Sequence, residues 1–76
     1  MSINLLDTVV LNHDIPEYKL KTGDIGTVVE RYDDTHIEVE FVTGSGKTQA
    51  LLTLPIDAVH PLGDEEILSA RKVEAA

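Results

Sequence analysis

The sequence predicts a small all-β domain, a five-stranded β-barrel with a 3₁₀ turn before its last strand. Apolar residues make up 42% of the 76 residues but aromatic ones only 4%, so the core must be built from Val, Leu and Ile, which favour strands. Short apolar or alternating runs recur about every ten residues between Gly, Pro and Asp clusters. Because cysteine is absent, aliphatic packing must stabilise the domain without disulfides or thiolate zinc sites.

The first predicted strand covers residues 5–11, a short run that is mostly apolar and β-branched. Residues 12–24 then form a polar excursion, which Ile15 and Leu20 should anchor. It closes in a turn where Gly23 can supply a positive φ.

The second strand is predicted at residues 25–32, where Gly26 indicates a bulge or a close backbone approach. A tight turn at 33–35 precedes the clearest alternation in the chain, at residues 36–42. In that third strand His36, Glu38 and Glu40 should face outward, and the inward side chains are Ile37, Val39 and Phe41.

After a glycine-rich turn at 44–46, residues 48–54 form the fourth strand, whose inward face is Ala50, Leu52 and Leu54. Residues 55–59 suit one 3₁₀ turn. Residues 59–62 form a brief last strand, in which an edge position would tolerate Pro61. This order of elements is that of an SH3-like barrel.

The chain divides into a predicted SH3-like β-barrel at residues 1–62 and a tail at 63–76. Asp64 could cap a helix in that tail, with Ile67 among its apolar residues. A helix of about 12 residues is marginal alone. The tail is therefore expected to be a short docked helix or a frayed segment.

Four sequence blocks resemble a small microbial family catalogued only as a domain of unknown function, number 4926. The blocks are LLDTVVL, LKTGDIGTVVE, IEVEF and ALLTLPIDAVHPL, and the resemblance covers roughly residues 4–62. It implies an SH3-like fold and no established activity. The LKTGDIGTVV block also looks like part of KOW-type barrels and of the nitrile hydratase β-subunit, and an antitoxin or immunity role is suggested by association.

The negative net charge limits the classes of molecule that the chain is expected to bind. Fourteen acidic against six basic residues give a formal charge of −8, which repels nucleic-acid backbones and suits a basic protein partner, or solubility alone. No segment approaches the ~20 apolar residues of a membrane span, and residues 1–12 lack the pattern of a signal peptide. We therefore expect a cytoplasmic location and no membrane or nucleic-acid partner.

Catalytic, cofactor and metal chemistry is not indicated. Residues 44–48 spell GSGKT, but Phe41 replaces the first P-loop glycine, and a strand rather than a helix follows, so we interpret them as a hairpin turn. The three histidines lack the close spacing of metal ligands. We expect no enzyme activity, no cofactor and no metal site.

The remaining hypothesis is a protein-binding surface on two acidic loops. The candidate partner-binding residues are His13, Asp14, Glu17 and Tyr18 in the first loop and Tyr32, Asp33 and Asp34 at the hairpin tip. Tyrosine among carboxylates suits a basic partner, since the ring anchors while the charges steer. The alternative is that these are ordinary solvated loops.

Three functions therefore stay open. The first is a non-catalytic interaction module, an adaptor or antitoxin-like protein that binds a basic partner. The second is an accessory domain of a larger enzyme, similar to the nitrile hydratase β-subunit, and the third is a KOW-like RNA-binding module. Self-association is compatible with each of them.

Overall fold

The computed structural model describes residues 3–73 and shows an all-β chain whose five strands form one antiparallel sheet. The strands are β1 (Thr8–Leu11), β2 (Ile25–Arg31), β3 (His36–Val42), β4 (Thr48–Pro55) and β5 (Val59–Pro61). Their order across the sheet is β4-β3-β2-β1-β5. The sheet therefore has two outer strands, β4 and β5, and the predicted strand succession is confirmed.

The predicted alternation of β3 places its inward side chains in the core. Ile37, Val39 and Phe41 are buried, as are Ala50 and Leu54 on β4, which pairs with β3 along its length. Since opposite residues of an antiparallel pair share a face, the other set of side chains forms the outer surface of the sheet.

Gly26 is the position where two strands approach too closely for a side chain. A Cβ built on it would lie 2.5 Å from Val39 Cγ1, inside any normal contact distance. The predicted close approach is thus confirmed, while the register irregularity of this strand lies further on, between Val28 and Glu30.

The first loop has the predicted anchors and closing turn. Ile15 and Leu20 pair with each other across a 3₁₀ turn at Pro16–Tyr18, and Leu20 is buried. Gly23 has a φ of +93°, the positive value its turn requires.

The first predicted strand was too long at its N-terminal end. Residues 5–7 form a turn instead, in which the Asn4 N–H donates to Asp7 Oδ2 at 2.8 Å and Leu6 takes a φ of +70°. The Asp7 side chain offers the backbone a local partner that competes with strand pairing. Leu5 and Leu6 are therefore exposed, contrary to their apolar pattern.

The second 3₁₀ turn lies at Ile56–Ala58, directly before β5, as predicted. Pro61 ends β5 at an edge of the sheet, where its missing N–H is tolerated.

The tail was predicted as a short helix or a frayed segment, and no helix forms between residues 63 and 73, while residues 74–76 lie outside the described part of the chain. Gly63 and Glu66 form a turn, since the Gly63 N–H donates to Glu66 Oε1 at 2.7 Å. Glu66 Oε2 also lies 3.0 Å from His60 Nε2. Further on, Arg71 reaches Asp24. These contacts join the tail to β5 and to the first loop, and they leave Ile67 88% exposed.

Candidate functional site

The outer surface of β2, β3 and β4 carries a group of acidic and exposed apolar side chains. We call it the acidic sheet face, and its residues are Glu30, Tyr32, Glu38, Glu40, Val42, Leu51 and Thr53. The strand register brings them together, because Glu30 lies opposite Glu38, Glu38 opposite Thr53, and Glu40 opposite Leu51. Directly opposed residues of antiparallel strands point to the same side of a sheet.

The three glutamates of this face determine its electrostatic character. Glu30 and Glu38 are like charges directly opposite each other, an arrangement that destabilises a sheet. Within residues 3–73, no ion pair involves Glu30, Glu38 or Glu40. Glu40 accepts a hydrogen bond of 2.7 Å from the Thr48 hydroxyl, which leaves its charge in place. Among the described residues, the three glutamates of the face are therefore negative charges without an ion-pair partner.

Tyr32 joins the apolar and acidic parts of the face. Partial burial of its ring raises the pKa of the Tyr32 hydroxyl, and the hydrogen-bonding Glu38 carboxylate raises it further, while Thr53 acts in the opposite direction. The Tyr32 N–H donates to the His36 carbonyl at 3.1 Å, which continues the β2–β3 pairing and puts Tyr32 on the same side of the sheet as Glu30 and Glu38. Tyr32 is still 54% exposed, and Val42 and Leu51 are exposed to a similar extent.

The first-loop residues proposed from the sequence divide into structural and exposed groups. Asp14 Oδ1 accepts hydrogen bonds from the Thr22 N–H at 2.8 Å and the Thr22 hydroxyl at 3.0 Å, and these bonds lower the pKa of Asp14. His13 Nδ1 lies 3.1 Å from the Asp14 carbonyl. Glu17 and Tyr18 lie exposed on the 3₁₀ turn. Asp14 therefore closes its own loop.

The hairpin-tip residues show the same division. Asp33 Oδ1 accepts hydrogen bonds from the Thr35 hydroxyl and N–H, both at 2.7 Å, and from the His36 N–H at 2.9 Å. The hydroxyl bond is the main cause of the lowered pKa of Asp33. Asp34 is fully exposed, 3.7 Å from the Arg31 guanidinium.

The structure does not bring the two predicted loops together. One precedes β2 and the other follows it, so they lie at opposite ends of a seven-residue strand. The Gln49 side chain donates to the Tyr18 carbonyl at 3.2 Å, which places the first loop beside the start of β4. The hairpin tip lies beside the end of β4, because His36 pairs with Pro55. Of the seven predicted residues, Tyr32 alone belongs to the acidic sheet face.

A docked tail was one of the two predicted states, but the sequence did not indicate Arg71 as the residue that makes the contact. The Arg71 guanidinium donates to both Asp24 carboxylate oxygens, at 2.8 and 2.5 Å, and to the Lys19 carbonyl at 2.8 Å. A cavity of about 520 Å³ lies between the tail and the sheet, lined by Leu20, Phe41 and Val73 among others. No local pattern could have indicated this contact, because 47 residues separate Asp24 from Arg71.

No group of three or more His, Asp or Glu side chains in the described part of the chain could hold a metal ion. Among the same residues, no helix is long and apolar enough to cross a membrane.

Comparison with known protein families identifies the family of this chain. The family model described as Domain of unknown function (DUF4926) matches residues 5–61, which include all five strands and exclude the tail. Neither the curated proteins nor the solved structures gave a match. The match spans well over half of the chain, and the chain therefore belongs to the DUF4926 family.

Proposed function

We propose that this chain is a non-catalytic protein-interaction module that binds a basic partner through the acidic sheet face. The observation that carries the proposal is the placement of Glu30, Glu38 and Glu40, without ion-pair partners in residues 3–73, beside exposed Tyr32 and Leu51. Such a surface offers charges that steer a cationic partner and apolar groups that anchor it.

An SH3-like barrel is the fold we propose for this module. The consecutive antiparallel pairing of β1 to β4, the return of β5 to β1 and the 3₁₀ turn at Ile56–Ala58 are compatible with it. The sheet remains unpaired between β4 and β5. A cytoplasmic adaptor or antitoxin-like role fits the charge of −8, whose field would attract a basic protein.

The acidic sheet face also carries a stability penalty that a partner would relieve. The opposed carboxylates of Glu30 and Glu38 repel each other across the strand pair. A lysine or arginine placed between them would turn that repulsion into two attractive contacts. The free chain is therefore expected to gain stability when a basic partner binds.

Affinity capture with a matched charge control tests the proposal. Tagged wild-type chain is compared with a variant in which Glu30, Glu38 and Glu40 are changed to Gln, and partners from the native host are identified by mass spectrometry. The captured partner is then purified, and its dissociation constant is measured at several salt concentrations.

The control variant carries Glu17→Gln, Asp64→Asn and Glu65→Gln, which remove the same three charges from exposed positions away from the sheet face. We expect a basic partner whose binding weakens with salt, falls at least about tenfold in the face variant and stays nearly constant in the control. Equal losses in both variants, or a partner insensitive to all three face substitutions, would refute the assignment of this surface.

A further inference from the structure

The free edge of β4 is unusually well suited to pair with another strand. β4 is an outer strand of the sheet, eight residues long, and its sequence TQALLTLP contains no charged residue. Proteins commonly protect sheet edges with lysines, short strands or bulges that twist the edge away. The strand at the opposite edge, β5, is protected in this way, since it has only three residues and ends in Pro61. The long β4 edge has a proline at its end and a register irregularity near its start, opposite Phe41 and Val42, and residues 50–54 between them pair regularly with β3.

The alternation of backbone hydrogen bonds along β3 and β4 shows which N–H and C=O groups of β4 point away from the sheet. The His36 carbonyl accepts from the Tyr32 N–H, so the backbone groups of His36 point to β2 rather than β4. Backbone direction alternates along a strand, and therefore Ile37 and Val39 bond to their β4 partners, Leu54 and Leu52.

The intervening β4 residues, Leu51 and Thr53, must then direct their N–H and C=O groups away from the sheet. The backbone of Pro55 also points away from β3, which explains why a residue without an N–H is accepted in the strand. In the described part of the chain, no backbone hydrogen bond joins Leu51 or Thr53 to any other segment. Since β4 neighbours only β3 in the sheet, each of the two residues presents one N–H and one C=O that have no backbone partner among residues 3–73.

The same two residues adjoin the acidic sheet face with their side chains. Leu51 lies opposite Glu40, Thr53 opposite Glu38, and both are exposed. Strands lie about 4.8 Å apart, so an added strand would be about 10 Å from the β3 backbone that carries these glutamates. A lysine or arginine on that strand can lay its aliphatic stem over Leu51 or Thr53 and bring its charge to a carboxylate.

We propose that the basic partner binds as an extended segment that adds a sixth strand along β4, with Lys or Arg at alternate positions facing Glu38 and Glu40. This inference rests on the proposed function and specifies its binding mode. Main-chain bonds to Leu51 and Thr53 would supply affinity, and the carboxylates would select the basic side chains. Charge complementarity favours this occupant over a second copy of the chain, which would bring another formal charge of −8 to the same edge.

The test compares two synthetic nine-residue peptides in which Lys alternates with Val or Thr. The second peptide has the same sequence but is N-methylated at alternate amides on the edge that would meet β4, so it keeps the charge and loses the donors. Binding to the full chain is measured by fluorescence anisotropy at low salt. We expect the methylated peptide to bind at least about tenfold more weakly, because several hydrogen bonds are lost together.

A protein-side variant gives an independent readout. Thr53→Pro removes one outward N–H without touching a bond to β3, and Thr53→Ala keeps that N–H while removing the side chain. Both variants lose the Thr53 side chain, so their difference isolates the N–H, and we expect Thr53→Pro to weaken the unmodified peptide at least about fivefold more than Thr53→Ala does. Circular dichroism verifies folding, and the methylated peptide tests the proposal even if the proline variant unfolds.

The outcomes separate this inference from the proposed function. Equal binding of both peptides, with loss in the variant that lacks the Glu30, Glu38 and Glu40 charges, overturns the added strand and leaves the acidic face as a binding site. Failure of both peptides to bind also overturns the added strand, while the host partner still tests the face. A dimer in sedimentation experiments that Thr53→Pro dissociates would assign the β4 edge to a second copy instead.

Discussion

Removing the Arg71 guanidinium should release the tail from the sheet and lower the free energy of unfolding by about 1–2 kcal/mol. Arg71 makes a two-bond fork with the Asp24 carboxylate and a third bond to the Lys19 carbonyl. Hydrogen bonds to charged groups contribute about 1.5–3 kcal/mol, but exposed ion pairs contribute only about 0.2–1 kcal/mol. The Arg71 and Asp24 side chains are 30% and 17% exposed, between these two cases, which gives the intermediate figure.

A double-mutant cycle isolates the contribution of the pair. Arg71→Ala, Asp24→Asn and the double variant are unfolded in urea, and the coupling free energy should be about 1 kcal/mol. Arg71→Lys is the matched control, because it keeps the charge but cannot form the two-bond fork, and it should recover less than half of the loss. Additive effects within about 0.3 kcal/mol would refute the view that this ion pair holds the tail.

The coupling should also depend on pH with a defined sign. Burial raises the pKa of Asp24, but the Arg71 hydrogen bond, the Lys21 N–H and the nearby positive charges together hold it below its ordinary value of 3.8. A carboxyl group with a depressed folded pKa contributes stability above its unfolded pKa and loses it as the pH falls through the folded value. The coupling should therefore be equal at pH 7 and 5 and disappear only in stronger acid, once the pH is below the depressed folded pKa and the Asp24 carboxyl is protonated. A coupling that persists there would show that the tail is held by other contacts.

Two further predictions concern the stability and extent of the domain. Gly26→Ala should destabilise the fold by about 1–3 kcal/mol, since the added Cβ meets Val39 Cγ1 at 2.5 Å, and each kcal/mol should lower Tm by about 4–8 °C. The control is Gly44→Ala, whose Cβ would have nothing within 4 Å and should change Tm little. Equal shifts of Tm in the two variants would contradict the close approach at Gly26. A chain ending at residue 62 keeps every strand and should still give a dispersed NMR spectrum and cooperative unfolding, and a collapse of the spectrum would contradict the predicted domain boundary.

The strands and turns could be predicted from the sequence where their causes are local. The side chains of residues 36–42 alternate between buried and more exposed positions, and this local pattern is enough to identify the side of the strand that faces the core. Gly23 lies in a turn that needs a positive φ, and the few residues around it are enough to indicate that turn. The start of β1 was wrong because Asp7 bonds the Asn4 N–H, a local competition that apolar pattern alone does not reveal.

The conformation of the tail could not be predicted for the opposite reason. Its helical pattern, with Asp64 as a cap and apolar residues at every third position, is a real but weak local preference. Contacts with β5 and with the first loop override it, through Glu66 at one end and Arg71 at the other. A preference of marginal strength yields to a few charge-assisted bonds, and the sequence contains no sign of their partners.

The location of the candidate site follows from what each carboxylate already binds. Asp14 and Asp33 make a loop look acidic in the sequence, but each is occupied with N–H and hydroxyl donors of its own loop. A partner that took those oxygens would first have to break the bonds that shape the loop, and the net gain would be small. Glu38 and Glu40 appear in the sequence as the ordinary solvated side of a strand, yet the register places them beside exposed apolar groups and an unpaired strand edge. Carboxylates that form no ion pair within the described residues and shape no loop have more to gain from a basic partner, which is why the sheet face, and not the loops, is the stronger candidate.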